Sequence, residues 1–173
     1  MITKSMTTDY LTIAKLLADV LPKAKTTILY HQDARLAKLN VSDYYELQLG
    51  FPLNGVPVSL YLYKNPAGAY TLTDLGALIF TNEIMEPLAK TELVHSNKNA
   101  QEYENYDVFA CQMIKAPWFT KFLDRFQLQL KRSMDISVDF DTLPELADAL
   151  QHFVTFFNDL LDKQSQIKQV VKS

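Results

Sequence analysis

The stretch Tyr44–Asp74, YYELQLGFPLNGVPVSLYLYKNPAGAYTLTD, decides the fold. Apolar and polar residues alternate in three runs within it, and turn-forming residues separate the runs. In YYELQLG, Tyr45, Leu47 and Leu49 fall on one side and Tyr44, Glu46 and Gln48 on the other, the period of two expected of a half-buried strand. Asn54-Gly55 follows, a pair suited to the positive φ angles of a two-residue hairpin turn. VPVSLYLY alternates again, with Val58, Leu60 and Leu62 against Ser59, Tyr61 and Tyr63. KNPAG turns the chain, and AYTLT makes a third strand with Tyr70 and Leu72 inward. These runs predict an antiparallel meander with one oily face and one polar, tyrosine-rich face.

The flanking sequence supplies helices. Tyr10, Ile13, Leu17, Val20 and Leu21 recur at helical spacing, with Thr8 as the N-cap and Pro22 as the stop. A mixed polar segment then runs to about Ser42. DVFACQMI predicts a fourth strand over Val108–Ile114. Pro117 suits the first turn of a helix whose buried stripe is Phe119, Phe122, Leu123, Phe126 and Leu130. Thr142-Leu143-Pro144-Glu145 reads as a capping box before the last helix. There Leu143, Leu146, Leu150, Phe153, Phe157, Leu160, Ile167 and Val171 form a stripe that Ala147, Val154, Phe156 and Leu161 widen, with Gln164 as its polar interruption. Such width predicts a helix buried against a sheet or a partner, with a tail over 164–173 that frays or joins another subunit.

The totals agree with one α+β domain over residues 1–173, built on a sheet of about four strands. Hydrophobic residues make up 48% and charged residues 21%, enough apolar surface for a core. Four glycines and seven prolines argue against a loop-rich β-sandwich. A net charge of −3 disfavours a general nucleic-acid binder, whose phosphate contacts call for a basic surface. Cys111 is the only cysteine, so no internal disulfide forms, and a reducing cytoplasm is the expected compartment. No run reaches the ~18 to 20 apolar residues of a membrane span, so no membrane association is expected.

Within AYTLTDLGALI, Ala69–Ile79, the period changes at Asp74: after it, Leu75, Leu78 and Ile79 fall at helical spacing. A strand that turns into a helix there needs an acceptor for the first helical amides, and the Asp74 carboxylate can supply one. Gly76 lets the backbone pass close to a neighbour. The alternative, an anion held at the helix N-terminus, is opposed by the charge of Asp74 and by the lack of a Gly-rich phosphate signature. Asp74 and Gly76 are therefore expected to be a structural corner.

The stretch GVPVSLYLYKNPAGAYTLTDLGALI, residues 55–79, resembles the core of a family of uncharacterised bacterial and prophage proteins, in which paired strands lead into a Leu-Thr-Asp-Asp-Gly corner. DTLPELADALQHFVTFFNDLL, residues 141–161, resembles the helix with which that family ends. Leu75 stands where the family has its second Asp. The family has no established activity, so the resemblance implies a fold and a phage or mobile-element origin only.

Candidate chemistry is thin. His31, His95 and His152 are scattered and lack metal-ligand spacing, and Cys111 sits in an alternating run beside Phe109 and Met113 as a small filler would. A nuclease of the Asp…Glu-x-Lys type would need such a triplet on a strand after Asp74, and none occurs. No catalytic residue, metal or cofactor is therefore assigned, and the expectation leans away from an enzyme.

Two surface features remain. Charge is segregated: Lys115, Lys121, Arg125, Lys131 and Arg132 face only Asp124 in their segment, whereas Asp135, Asp139, Asp141, Glu145, Asp148, Asp159 and Asp162 follow with no Lys or Arg among them. Either the two segments neutralise each other, or the basic strip docks an acidic partner. The polar sheet face offers Tyr44, Tyr61 and Tyr63, and Trp118 is a further candidate anchor. The expected function is a non-catalytic cytoplasmic interaction module that binds another protein or itself. A nucleic-acid-associated or nuclease-like protein using the strip 115–132 is the alternative.

Overall fold

Adjacent alternating runs satisfy their main-chain groups by pairing, and β2 (Tyr44–Leu53) and β3 (Val56–Lys64) do so as an antiparallel hairpin. Tyr45 lies opposite Leu62, Leu47 opposite Leu60 and Leu49 opposite Val58, which puts the apolar residues of both strands on one face. Leu53 pairs with Val56, and the two residues between them are Asn54 and Gly55. The first strand extends past the expected YYELQLG because the register shifts after Leu49 and resumes at Pro52 opposite Pro57. Proline donates no ladder bond, and a bulge is where a sheet accommodates that loss.

The computed structural model describes residues 4–21, 26–32, 41, 43–53, 56–75, 117–131 and 135–172. β4 (Tyr70–Thr73) continues the meander, with Leu72 opposite Leu62 and buried. The intervening turn is built by Asn65, whose side-chain Oδ1 accepts the N–H groups of Ala67 at 3.0 Å and Ala69 at 3.1 Å. Pro66 follows Asn65, and the Gly68 N–H closes the turn on the Asn65 carbonyl at 2.9 Å. Gly68 has φ 88°, a conformation that a side chain would strain.

Among the described residues the sheet is wider than expected: six antiparallel strands in the order β1-β2-β3-β4-β6-β5 rather than about four. β1 (Thr27–His31) pairs with β2 and comes from the segment read as mixed and polar. β6 (Ile136–Phe140) pairs with β4, and the two-residue β5 (Gln129–Leu130) closes the far edge. The expected strand over Val108–Ile114 and the helix after Asp74, Gly76 included, lie outside the described residues.

Helices cover the apolar face. α1 (Lys4–Val20) buries Ile13 and Leu17, but Tyr10, expected in the same stripe, is 42% exposed. α2 (Pro117–Asp124) starts at the proline as expected and stops earlier than its apolar stripe suggested. Gln127, at φ 55°, ends it as the left-handed residue of a Schellman motif. The Leu128 N–H donates to the Leu123 carbonyl at 3.1 Å and the Gln127 N–H to Asp124 at 3.0 Å. Leu130 is thereby handed to β5 rather than to the helix.

The last helix matches its reading well. A 3-10 turn at Leu143–Glu145 leads into α3 (Leu146–Lys172), and the Glu145 carboxylate accepts the N–H groups of Asp141 at 2.9 Å and Thr142 at 3.3 Å. Leu146, Leu150, Phe153, Phe156 and Phe157 are buried. They share one core with Leu47, Leu60, Leu62, Leu72 and Ile136 of the sheet. No helix among the described residues is long and apolar enough to cross a membrane.

Candidate functional site

Strand alternation sends every second residue away from the helices, and pairing aligns these residues in rows on the second face of the sheet. One row runs His31, Tyr44, Tyr63, Thr71, Asp139; the next runs Leu29, Glu46, Tyr61, Thr73, Ser137, Gln129. This is the tyrosine-rich polar face anticipated from the sequence, and much of it is withdrawn from solvent. Thr71, Thr73, Asp74, Ser137 and Asp135 are buried, as are Tyr44 and Tyr63. Tyr44 and Tyr63 form a small second core with Val41, against which Tyr61 and Leu75 pack.

The polar groups on this face hold one another. Glu46 accepts the Tyr61 hydroxyl at 3.1 Å and the Gln48 amide at 3.3 Å, and its carboxylate lies 3.4 Å from His31 Nε2. The His31 ring stacks on Tyr44 with centroids 5.0 Å apart. Farther along, Asp139 Oδ1 accepts the Thr71 hydroxyl at 2.6 Å and Lys131 Nζ at 3.0 Å. Burial pushes the Tyr63 phenol above its ordinary pKa, against the opposing pull of the Lys131 ammonium, so this ring is a neutral one.

Asp74 acts as an amide acceptor, and the described amide is that of a strand; the helix expected after it lies outside the described residues. Its Oδ1 accepts the Ile136 N–H at 2.9 Å, while its own N–H donates to the Ile136 carbonyl at 3.2 Å. Thr73 Oγ1 donates to that same carbonyl at 3.1 Å and accepts the Leu75 N–H at 3.2 Å. Leu75 has φ 54°. The corner thus fastens the end of β4 to the start of β6. Nothing in the sequence alone could have named Ile136 as its partner.

The basic strip is divided by the fold. Lys121 and Arg125 are exposed, whereas Lys131 is half-buried in its pair with Asp139. The Arg125 guanidinium sits 5.9 Å from the centroids of both Phe122 and Phe126. Those rings in turn pack on Phe156 of α3, at 5.8 and 5.4 Å. The basic helix and the acidic helix therefore meet through aromatic rings, and the Lys131–Asp139 bridge joins the two charged segments beside them. Trp118 lies in the first turn of α2 with its side chain outside the described set, and Lys115 and Arg132 lie outside it altogether.

The histidines that are described do not converge: His31 faces Glu46 on the polar face, and His152 belongs to α3 on the other side of the sheet. His95 and Cys111 lie outside the described residues. Among the described residues, no three His, Cys, Asp or Glu side chains are grouped to hold a metal ion. Sequence reading missed Thr71, Ser137 and Asp139 as members of the polar face. The alternation of Ile136, Val138 and Phe140 with Ser137 and Asp139 was the signal that could have found two of them.

Comparison of the chain with protein-family models, with curated proteins and with solved structures finds no match in any of the three.

Proposed function

We propose that this protein is a non-catalytic interaction module that docks an acidic face of a partner protein through the exposed basic side of α2. The observation that supports this reading is Arg125, exposed to solvent yet braced between the rings of Phe122 and Phe126. A guanidinium held in place loses little freedom on binding, and Arg is over-represented among the residues that dominate interfaces. Lys121 is exposed beside it, and Lys115, Trp118 and Arg132 extend the same segment in sequence. The carboxylates of Asp74, Glu46 and Asp139 are meanwhile engaged in the hydrogen bonds that hold the sheet. A cytoplasmic setting belongs to this proposal, supported by the single Cys111, and so does a prophage or mobile-element origin, supported by the resemblance of residues 55–79 and 141–161.

The test is affinity capture from the native host with the full chain and with a Lys121→Glu, Arg125→Glu double variant. A protein retained by the first, lost with the second and eluted by moderate salt is the expected result. Equal capture by both chains would overturn the docking surface. Salt-sensitive retention of nucleic acid in place of a protein would replace this reading with the phosphate-binding one.

A further inference from the structure

The two edges of the sheet are finished differently. At the far edge β5 has only two residues, and Lys131 follows it with its ammonium 3.0 Å from Asp139. Short edge strands and lysines are devices that keep a sheet from adding a further strand. At the other end of the strand order stands β1, which among the described residues pairs with β2 alone. Its sequence, TILYH, has neither proline nor lysine, and its register with β2 runs without a bulge. Thr27 is exposed, and Leu29, on the second face of the sheet, keeps 37% of its surface open to water. A bare edge of β-branched and aromatic residues is a template for another strand.

We propose that this edge pairs antiparallel with β1 of a second copy of the chain, joining the two sheets across a two-fold axis at Leu29. Residues directly opposite in an antiparallel pair share a face, so a strand can pair with itself only about an axis through a residue. Leu29 is the middle of the strand, the position from which all five residues find partners. Thr27 then faces His31, Ile28 faces Tyr30, and Leu29 faces its own copy. Ile28 and Tyr30 already lie on the helix-covered side, opposite Leu47 and Tyr45 of β2, so the second copy extends the same apolar rows. On the other face the two Leu29 side chains cover each other.

Charge favours a second copy over an unrelated strand. Lys25 and Asp33 stand four residues before and four residues after Leu29 in the sequence. The same register, continued outward, sets Lys25 of each copy opposite Asp33 of the other. Opposite charges directly across a strand pair stabilise it, and here the contact occurs twice. Two positions farther out the register would oppose Lys23 to Arg35, so the pairing ends short of them. A strand pair of this length stays below the ~1,200 Å² of a standard interface, and a weak dimer follows, with a Kd on the order of 100 µM.

The experiment is sedimentation equilibrium of the full chain from ~10 µM to ~1 mM, a range that brackets the expected Kd. A monomer–dimer equilibrium is expected. Leu29→Lys, which sets two like charges together at the axis, should weaken the dimer at least ~10-fold. An unchanged thermal midpoint of the dilute variant would verify its fold, and Thr27→Lys, at an exposed position, serves as the second edge variant should the first not fold. Lys25→Glu and Asp33→Lys should each weaken the dimer roughly 3- to 10-fold, and the double exchange should restore it. The two single variants change the net charge in opposite directions, so weakening by both excludes a general repulsion between copies. A chain still monomeric at ~1 mM would overturn the proposal, as would a dimer indifferent to the edge lysines. A double exchange weaker than either single variant would do the same. The Lys121→Glu, Arg125→Glu variant should dimerise like the unaltered chain, so the outcome is independent of partner docking by α2, and a dimer lost with that variant would overturn the assignment to β1.

Discussion

The Asp74 carboxylate accepts the main-chain N–H of Ile136 at 2.9 Å, a bond that joins the end of β4 to the first residue of β6 across 62 positions of sequence. Both ends are buried, Asp74 at 1% exposure and Ile136 at 0%, so water cannot replace the acceptor. Asp74→Ala is expected to cost ~1–3 kcal/mol of stability, the penalty of leaving a buried donor unmade. Asp74→Asn keeps a carbonyl oxygen and should cost less. Urea denaturation of the two variants measures the difference. An alanine variant as stable as the parent would show that the carboxylate is dispensable to the corner.

The residues that the sequence made legible are those whose signal is local. Tyr45, Leu47, Leu49, Val58, Leu60 and Leu62 declare their face by alternation, and the register pairs them as that alternation requires. Thr142 and Glu145 announce the last helix by their spacing. The partner of Asp74 was illegible because 62 residues separate it from Ile136. The grouping of Asp9, Asp43 and Tyr70 around one hollow was illegible for the same reason: they become neighbours only once α1 lies across the meander. β6 is the instructive case, because Ile136–Phe140 carries a clear alternation over only five residues. Asp135, Asp139 and Asp141 read as members of an acidic segment, and charge alone predicts no strand among them. Two neighbours in the sheet outweighed that local composition.

Gln127 holds a position that glycine fills more cheaply. Its φ of 55° places it in the left-handed region, where a side chain meets its own backbone. The two hydrogen bonds of the helix terminus, from Gln127 and Leu128, fix it there. Gln127→Gly should raise stability by ~0.5–1 kcal/mol, while Gln127→Val should lower it by at least as much, because a β-branched side chain tolerates that conformation worst. Thermal denaturation of the pair decides it. A glycine variant less stable than the parent would mean that the strain is relieved elsewhere.

Phe153 anchors the last helix in the core. It is fully buried, and its ring centroid lies 5.9 Å from that of Phe157 one turn on. Phe153→Ala removes a whole ring from a packed interior and should cost ~3–5 kcal/mol, enough to leave a single domain of ordinary stability only marginally folded. Phe153→Leu keeps most of the volume and should cost far less. The exposed Gln151→Ala on the opposite side of α3 supplies the reference and should stay within ~0.5 kcal/mol of the parent. Equal losses at Phe153 and Gln151 would contradict the assignment of the buried side of this helix.

Alkaline pH should unfold this protein through its tyrosines. Tyr45 is pushed up to about 12, first by burial and then by the charge of Asp9, and burial raises Tyr30, Tyr63 and Tyr70 in the same direction. An unfolded chain releases the phenolic proton near pH ~10, so between there and the folded value the native state binds more protons than the unfolded one. Stability is then fully present below pH ~10 and falls as pH rises through that window. Denaturant midpoints measured from neutral pH to strongly alkaline pH should decline with a slope that Tyr45→Phe makes shallower, because phenylalanine has no proton to lose. Phenolate absorbance of the native protein should rise later than that of the urea-unfolded chain. Coincident absorbance curves for the folded and unfolded protein would mean that these hydroxyls are solvated like free tyrosine, and the burial assigned to the four rings would have to be withdrawn.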